Sequence, residues 1–163
     1  MSESTTRTTP SGPRPALAWP ERPTAAQRTG AQQAVNRLFE LLAPQRPPTR
    51  REDPAAETLR HRSPTGCILQ GAERAVTVSW FADSVHDLTL GELRLITWRG
   101  QVARPGAPRR PGPGATPLIE HALTPVELGD GRGWLWQDAA GATFSNEALA
   151  ARCHALLAED AAA

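Results

Sequence analysis

Apolar and polar side chains alternate most clearly between Gly66 and Trp98. From Arg74 to Phe81, Val76, Val78 and Trp80 fall on one side, and Ala75, Thr77, Ser79 and Phe81 on the other. That period of two, carried by β-branched residues, predicts a half-buried strand. Cys67-Ile68-Leu69-Gln70 ahead of it is a short apolar run, and Gly71-Ala72-Glu73 supplies the hairpin turn between them. After a loop containing Asp83, Ser84 and Asp87, the stretch Thr89 to Trp98 alternates again, with Leu93, Leu95 and Thr97 set against Glu92, Arg94, Ile96 and Trp98. Apolar residues on both of its sides predict a central strand covered, at least partly, on both faces. An antiparallel meander of this size needs another layer against it to be stable.

Two helices are predicted to supply that layer. Ala31, Val35, Leu38 and Leu42 recur at helical spacing, and Ala34, Phe39 and Leu41 widen the stripe. Thr24 is placed to cap this helix and Pro44 to stop it. Gly30 costs about 1 kcal/mol against Ala in a helix interior, so the early turns are the weakest part. Near the other end of the chain, Ser145 is a good N-cap, Glu147 lies in the first turn, and Phe144 can staple onto Leu149. Leu149, Cys153, Leu156 and Leu157 then define one face. Between the meander and this helix, Pro117 to Leu128 reads as a strand, or as a short helix followed by a strand, with Pro125 arguing against a central position. Gly129 to Gly133 is a turn, and Trp134 to Gln137 a returning strand. The fold class expected is α+β, an antiparallel β-meander of about five strands flanked by an N-terminal and a C-terminal helix.

Proline and arginine divide the chain further. Residues 1–22 are rich in Ser, Thr, Pro and Arg, with Leu17 and Trp19 as the large apolar side chains, and are expected to be a disordered tail. Residues 23–163 then form a single small domain, interrupted by a Pro/Arg-rich linker at 44–64 and a Pro/Gly-rich flexible loop at 104–116. Within the linker, Glu57 to Arg62 suits a short edge strand whose Arg60 and Arg62, on one face, discourage pairing with another chain. The tail has neither an apolar run of signal-peptide type nor Gly at position 2, so a cytoplasmic protein is expected. All eighteen basic residues are arginine, and with seventeen acids the net charge is +1, which argues against a purely electrostatic nucleic-acid or membrane binder. Sixteen arginines precede Glu120 and seven acids lie from Glu120 onward, a distribution that would make the folded surface dipolar.

Motifs that carry chemistry are weak throughout. Cys67 and Cys153 read as two buried thiols behaving as small hydrophobes, since a disulfide would need an oxidising compartment. His61, His86, His121 and His154 show none of the spacings that zinc sites favour, and Cys153 and His154, adjacent on a helix, point about 100° apart. Asp83-Ser84-Val85-His86-Asp87 holds the residue types of a catalytic triad, but triads converge from separated parts of a fold and no G-x-S-x-G elbow accompanies this one. A turn capped by Asp and Ser explains it better. Glu120 and His121 diverge in either a strand or a helix. No phosphate-binding loop and no G-x-G-x-x-G is present. No catalytic, cofactor-binding or metal residue is therefore assigned, and no cofactor is expected.

Trp80, Trp98, Trp134 and Trp136 all fall in predicted strands and are natural core anchors. Together with Arg94 they are also the candidate partner or ligand surface, because tryptophan and arginine are enriched where proteins bind. The expected function is that of a small cytoplasmic α+β module with a non-catalytic protein-binding or adaptor role, its partner a protein and not a membrane or nucleic acid. The alternative is a small-ligand-binding or enzymatic domain with a cavity between sheet and helices, into which His86, Asp83, Arg94 or a tryptophan would face. The helix–strands–helix order resembles, in topology alone, small secretion-chaperone-like folds, a likeness of fold that carries no function with it.

Overall fold

The computed structural model describes residues 21–44, 58–83, 86, 88–102 and 114–158. Most of the expected tail, of the linker at 44–64 and of the loop at 104–116 lies outside the described residues. The elements run α1 (Ala25–Leu42), β1 (Leu59–Ser63), β2 (Gly66–Gln70), β3 (Arg74–Phe81), β4 (Glu92–Arg99), β5 (Thr116–Leu128), a single 3-10 turn (Gly129–Gly131), β6 (Gly133–Asp138), β7 (Thr143–Phe144) and α2 (Asn146–Ala158). All strands join one sheet in chain order, each antiparallel to the next. The α+β meander between two helices is as expected, but the sheet has seven strands. One of the strands beyond five, β1, is the short edge strand expected at Glu57 to Arg62, found at Leu59–Ser63 and paired with β2 along its whole length. The other, β7, is two residues long and too short to show any period.

The boundaries that differ have local causes. β4 begins at Glu92 because the Asp83 carboxylate gathers the preceding loop. Its Oδ1 accepts from the His86 amide, and its Oδ2 from the Leu88 and Thr89 amides and the Thr89 hydroxyl, all at 3.0–3.2 Å. Gly91, at φ 122°, then turns the chain into β4, where a Cβ would lie 2.5 Å from the Phe81 carbonyl oxygen. Pro125 is buried inside the sheet opposite Trp136, against the expectation that it would keep β5 from a central place. Pairing of β4 with β5 ends at Leu93 and Leu123, so among the described residues no strand lies beside Pro125 on that side. The Asp138 amide donates to Ala142, towards β7, so the alternate residues of β6 bond to β5. The proline nitrogen is thereby turned to the side where no ladder bond is lost.

One face of the sheet holds the core. The register sets Leu69 beside Val76 and Val76 beside Thr97, Cys67 beside Val78 and Val78 beside Leu95, and Trp80 beside Leu93 and Leu93 beside Leu123. Onto these rows α1 lays Val35, Leu38, Phe39 and Leu42, and α2 lays Leu149, Cys153 and Leu156. Each fully buried aliphatic or aromatic side chain here contributes about 1.5–3 kcal/mol. Trp80 and Trp136 meet edge to face, with ring centroids 6.0 Å apart. The helix ends are fixed as the sequence indicates. Thr24 and Gln27 form a reciprocal capping box, and the Ser145 hydroxyl accepts from the Ala148 amide at 3.1 Å. Gly30 has a packing reason: a Cβ there would come within 2.6 Å of the Trp134 indole nitrogen.

Candidate interaction surface

The other face of the sheet has no helix against it among the described residues, so β4 is covered by helices on one face and not on both as expected. The register builds this outer face in rows. Ile68, Thr77 and Ile96 stand side by side on β2, β3 and β4, and Ala75 and Trp98 form the adjoining row. The Trp98 indole N–H donates to Thr77 Oγ1 at 2.9 Å, which holds the ring across β3 instead of letting it stand off the sheet. The next row runs Gly66, Ser79, Arg94 and Ala122, small residues on either side of one arginine. Beyond this row Phe81 is 54% exposed. The Arg94 guanidinium leans over the Phe81 ring at 5.2 Å, donates to Glu92 at 2.7 Å and lies 3.9 Å from Glu120. Exposed ion pairs of this kind are worth about 0–1 kcal/mol, so the cluster shapes the surface more than it stabilises the fold.

The five candidate residues do not form one site. Trp80 and Trp136 are buried beneath the helices, Trp134 is half-buried against Gly30 of α1, and Trp98 and Arg94 lie on the outer face. Phe81, Ile68, Ile96 and Glu120 join that face without having been singled out from the sequence. The alternation of β3 and β4 already set Phe81 apart from Val76, Val78 and Trp80. Relating the faces of different strands required the register, which the chain does not display.

The open strand edges of the sheet are blunted, and the terminal strand β7 is only two residues long. On β1, Arg60 and Arg62 stand opposite Leu69 and Cys67, turned to the helix side, and Arg62 pairs with Glu40 of α1. On β5, the stretch Thr116–Ala122 that β6 does not reach carries Pro117, and its pairing with β4 is interrupted by a bulge at Thr97/Trp98. Inward charges, proline and bulges all discourage strand addition. What remains open is the face.

A shallow concavity with a volume of about 10 Å³, open to solvent, lies on the helix side between Leu95, His121, Leu123, Asp138, Leu149 and Arg152. Ligand pockets usually measure about 300–1,000 Å³. Its polar groups serve local structure: Asp138 Oδ1 accepts from the Ala140 and Ala142 amides, and Arg152 stacks over Phe144 at 5.1 Å. Asp83, His86 and Arg94, expected to face a cavity, do not line it. Asp83 is instead the carboxylate that closes the β3–β4 loop, and the amides of His86 and Thr89 bring its pKa down to about 2.

Cys67 and Cys153 are both free and buried. Burial pushes Cys67 up to about 11, and burial with the neighbouring Cys67 thiol pushes Cys153 up to about 12. Such thiols are poor nucleophiles and poor metal ligands. Among the described residues no group of three His, Cys, Asp or Glu side chains is placed to hold a metal ion. No helix among them is long and apolar enough to cross a membrane. Comparison of the chain with protein-family models, with curated proteins and with solved structures finds no match.

Proposed function

We propose that this chain is a non-catalytic protein-binding or adaptor module of the cytoplasm, and that it binds through the outer face of its sheet. The observation that carries the reading is the asymmetry of the sheet. One face buries Leu69, Val76, Val78 and Leu95 under two helices, while the other leaves Ile68, Ile96, Trp98 and Phe81 without a covering element among the described residues. A surface patch of aliphatic and aromatic side chains beside an arginine has the composition of a protein interface. The same face sets two carboxylates, Glu92 and Glu120, around one guanidinium, a balance that suits a protein better than a phosphate backbone. Two cysteines kept as thiols fit a reducing compartment.

Affinity capture from native extract, quantified by mass spectrometry, tests this. The full chain is compared with Ile96→Arg, with Phe81→Ala, and with a chain lacking residues 1–20, each checked by circular dichroism for retained fold. A partner lost with the face variants but kept without residues 1–20 supports the reading. A partner indifferent to the face variants and lost with residues 1–20 contradicts it.

A further inference from the structure

We infer that the chain's own N-terminal segment, through Leu17 and Trp19, packs on the outer face and shields it from a partner. The inference rests on the reading of that face as the binding surface and adds how access to it is controlled.

The described chain starts at the open end of this face. The Arg28 guanidinium reaches the carbonyl oxygens of both Pro23 and Asp83 at 3.5 Å, which sets the chain ahead of α1 beside the exit of β3, two residues beyond Phe81. Exposure across the face rises towards that point. At the far end Gln70 and Ala75 are buried, and the Val102 amide donates to Gln70 Oε1 at 3.0 Å, so the chain leaving β4 closes that end. At the near end Phe81, Arg94 and Ala122 are all exposed. The rows on the helix side are already packed under α1 and α2.

The segment tethered there carries Leu17 and Trp19 as its large apolar side chains. Ala16 and Ala18 alternate with them, so in an extended chain Leu17 and Trp19 fall on one side. Pro13, Pro15 and Pro20 favour the extended form beforehand, which lowers the entropy lost on docking. At about 3.3 Å per residue, Trp19 reaches about 13 Å and Leu17 about 20 Å from Pro23. Measured from Asp83 along β3, the row of Ser79 and Arg94 lies at about 13 Å, and the row of Ile68, Thr77 and Ile96 at about 20 Å. Trp19 therefore meets Arg94, whose half-exposed guanidinium leans on Phe81 with one side and is open to an indole on the other. Leu17 meets Ile68 and Ile96. Tethering makes a weak contact sufficient, because a short linker holds such a segment at an effective concentration of about 1 mM. Two side chains with an intrinsic Kd of roughly 0.1–1 mM then occupy the face half the time or more, and a partner loses about two- to tenfold in affinity to them.

Photocrosslinking of the purified full chain, with a photoreactive phenylalanine analogue at position 81, tests the inference. The expected adduct is intramolecular and maps to residues 16–20. Its yield should fall about fivefold or more when Leu17→Ser and Trp19→Ser are combined, and likewise in Ile96→Arg. No adduct to residues 1–20 overturns the inference. So does a yield that the paired serine variant leaves unchanged, since tethering alone then explains the adduct. In capture from native extract, the paired serine variant should raise the partner retained by about two- to tenfold, and adding Ile96→Arg should abolish it. Face-dependent capture that the serine pair leaves unchanged or lowers overturns the shielding and leaves the broader reading intact. The adduct with no partner captured by any variant overturns the broader reading and leaves the contact standing.

Discussion

Asn146 joins three elements that are far apart in the chain, and replacing it tests how the two helices are locked to the sheet. Its Oδ1 accepts from the Trp136 indole N–H at 2.7 Å, and its Nδ2 donates to the Ala34 carbonyl of α1 at 3.1 Å. Trp136 is fully buried, so Asn146→Ala leaves its N–H without a partner, at a cost of about 1–3 kcal/mol. The Ala34 carbonyl lies within α1 and keeps its helical bond, so its loss adds only a few tenths of a kcal/mol. Asn146→Ala should therefore destabilise by roughly 1.5–3 kcal/mol. Asn146→Asp keeps the acceptor for Trp136 but sets an anionic oxygen against the Ala34 carbonyl in place of the Nδ2 donor, so it should also destabilise, by about 1–3 kcal/mol. Urea unfolding followed by circular dichroism gives both numbers, with an unchanged m-value as the check that only stability moved. Combining Asn146→Ala with Trp136→Phe should give a coupling of about 1 kcal/mol or more. A loss below about 0.5 kcal/mol for Asn146→Ala, or no coupling, would show that this bond does not hold the layers together.

Three other outcomes follow from the same structure. Gly30→Ala should destabilise by about 1–3 kcal/mol although alanine is the better helix former, because the new methyl meets the Trp134 indole; a stabilised variant in thermal melts would refute the contact. Leu149→Ala should cost about 2–5 kcal/mol in urea unfolding, since the side chain is buried between α2 and the sheet. The thiols set an alkaline limit: with folded values raised to about 11 and about 12, the stability they contribute is full below the unfolded thiol pKa of about 8.5 and falls as pH rises from there. Unfolding midpoints that fall between pH 8 and pH 10, and that stop falling when both cysteines are replaced by alanine, would confirm it; reaction with a thiol reagent at neutral pH at the rate of a free thiol would count against it.

How much of this could be read from the chain depends on whether a feature was local. The strands around Val76 and Leu95 were legible because one face of each is buried, and burial on one side writes a period of two into the sequence. Thr24 and Ser145 were legible because a cap is a local hydrogen bond. β7 was not, because two residues carry no period. Pro125 misled because its effect depends on where β4 stops, which Asp83 and Gly91 decide more than thirty residues earlier. The division of the tryptophans, with Trp80 and Trp136 inside and Trp98 outside, follows from strand register and from both helices choosing the same face. Neither is a property of the segments in which those tryptophans sit.

The central claim is that binding occurs on the uncovered face of the sheet and not on the helix layer. The most direct measurement places a photoreactive phenylalanine analogue at position 81 on the outer face, and in a second protein at position 33 on the exposed side of α1. After irradiation in native extract, position 81 should give a discrete crosslinked species, either to a second copy or to another protein, and position 33 should give none. A discrete crosslink from position 33 with nothing from position 81 would contradict the account and move the binding surface to the helices.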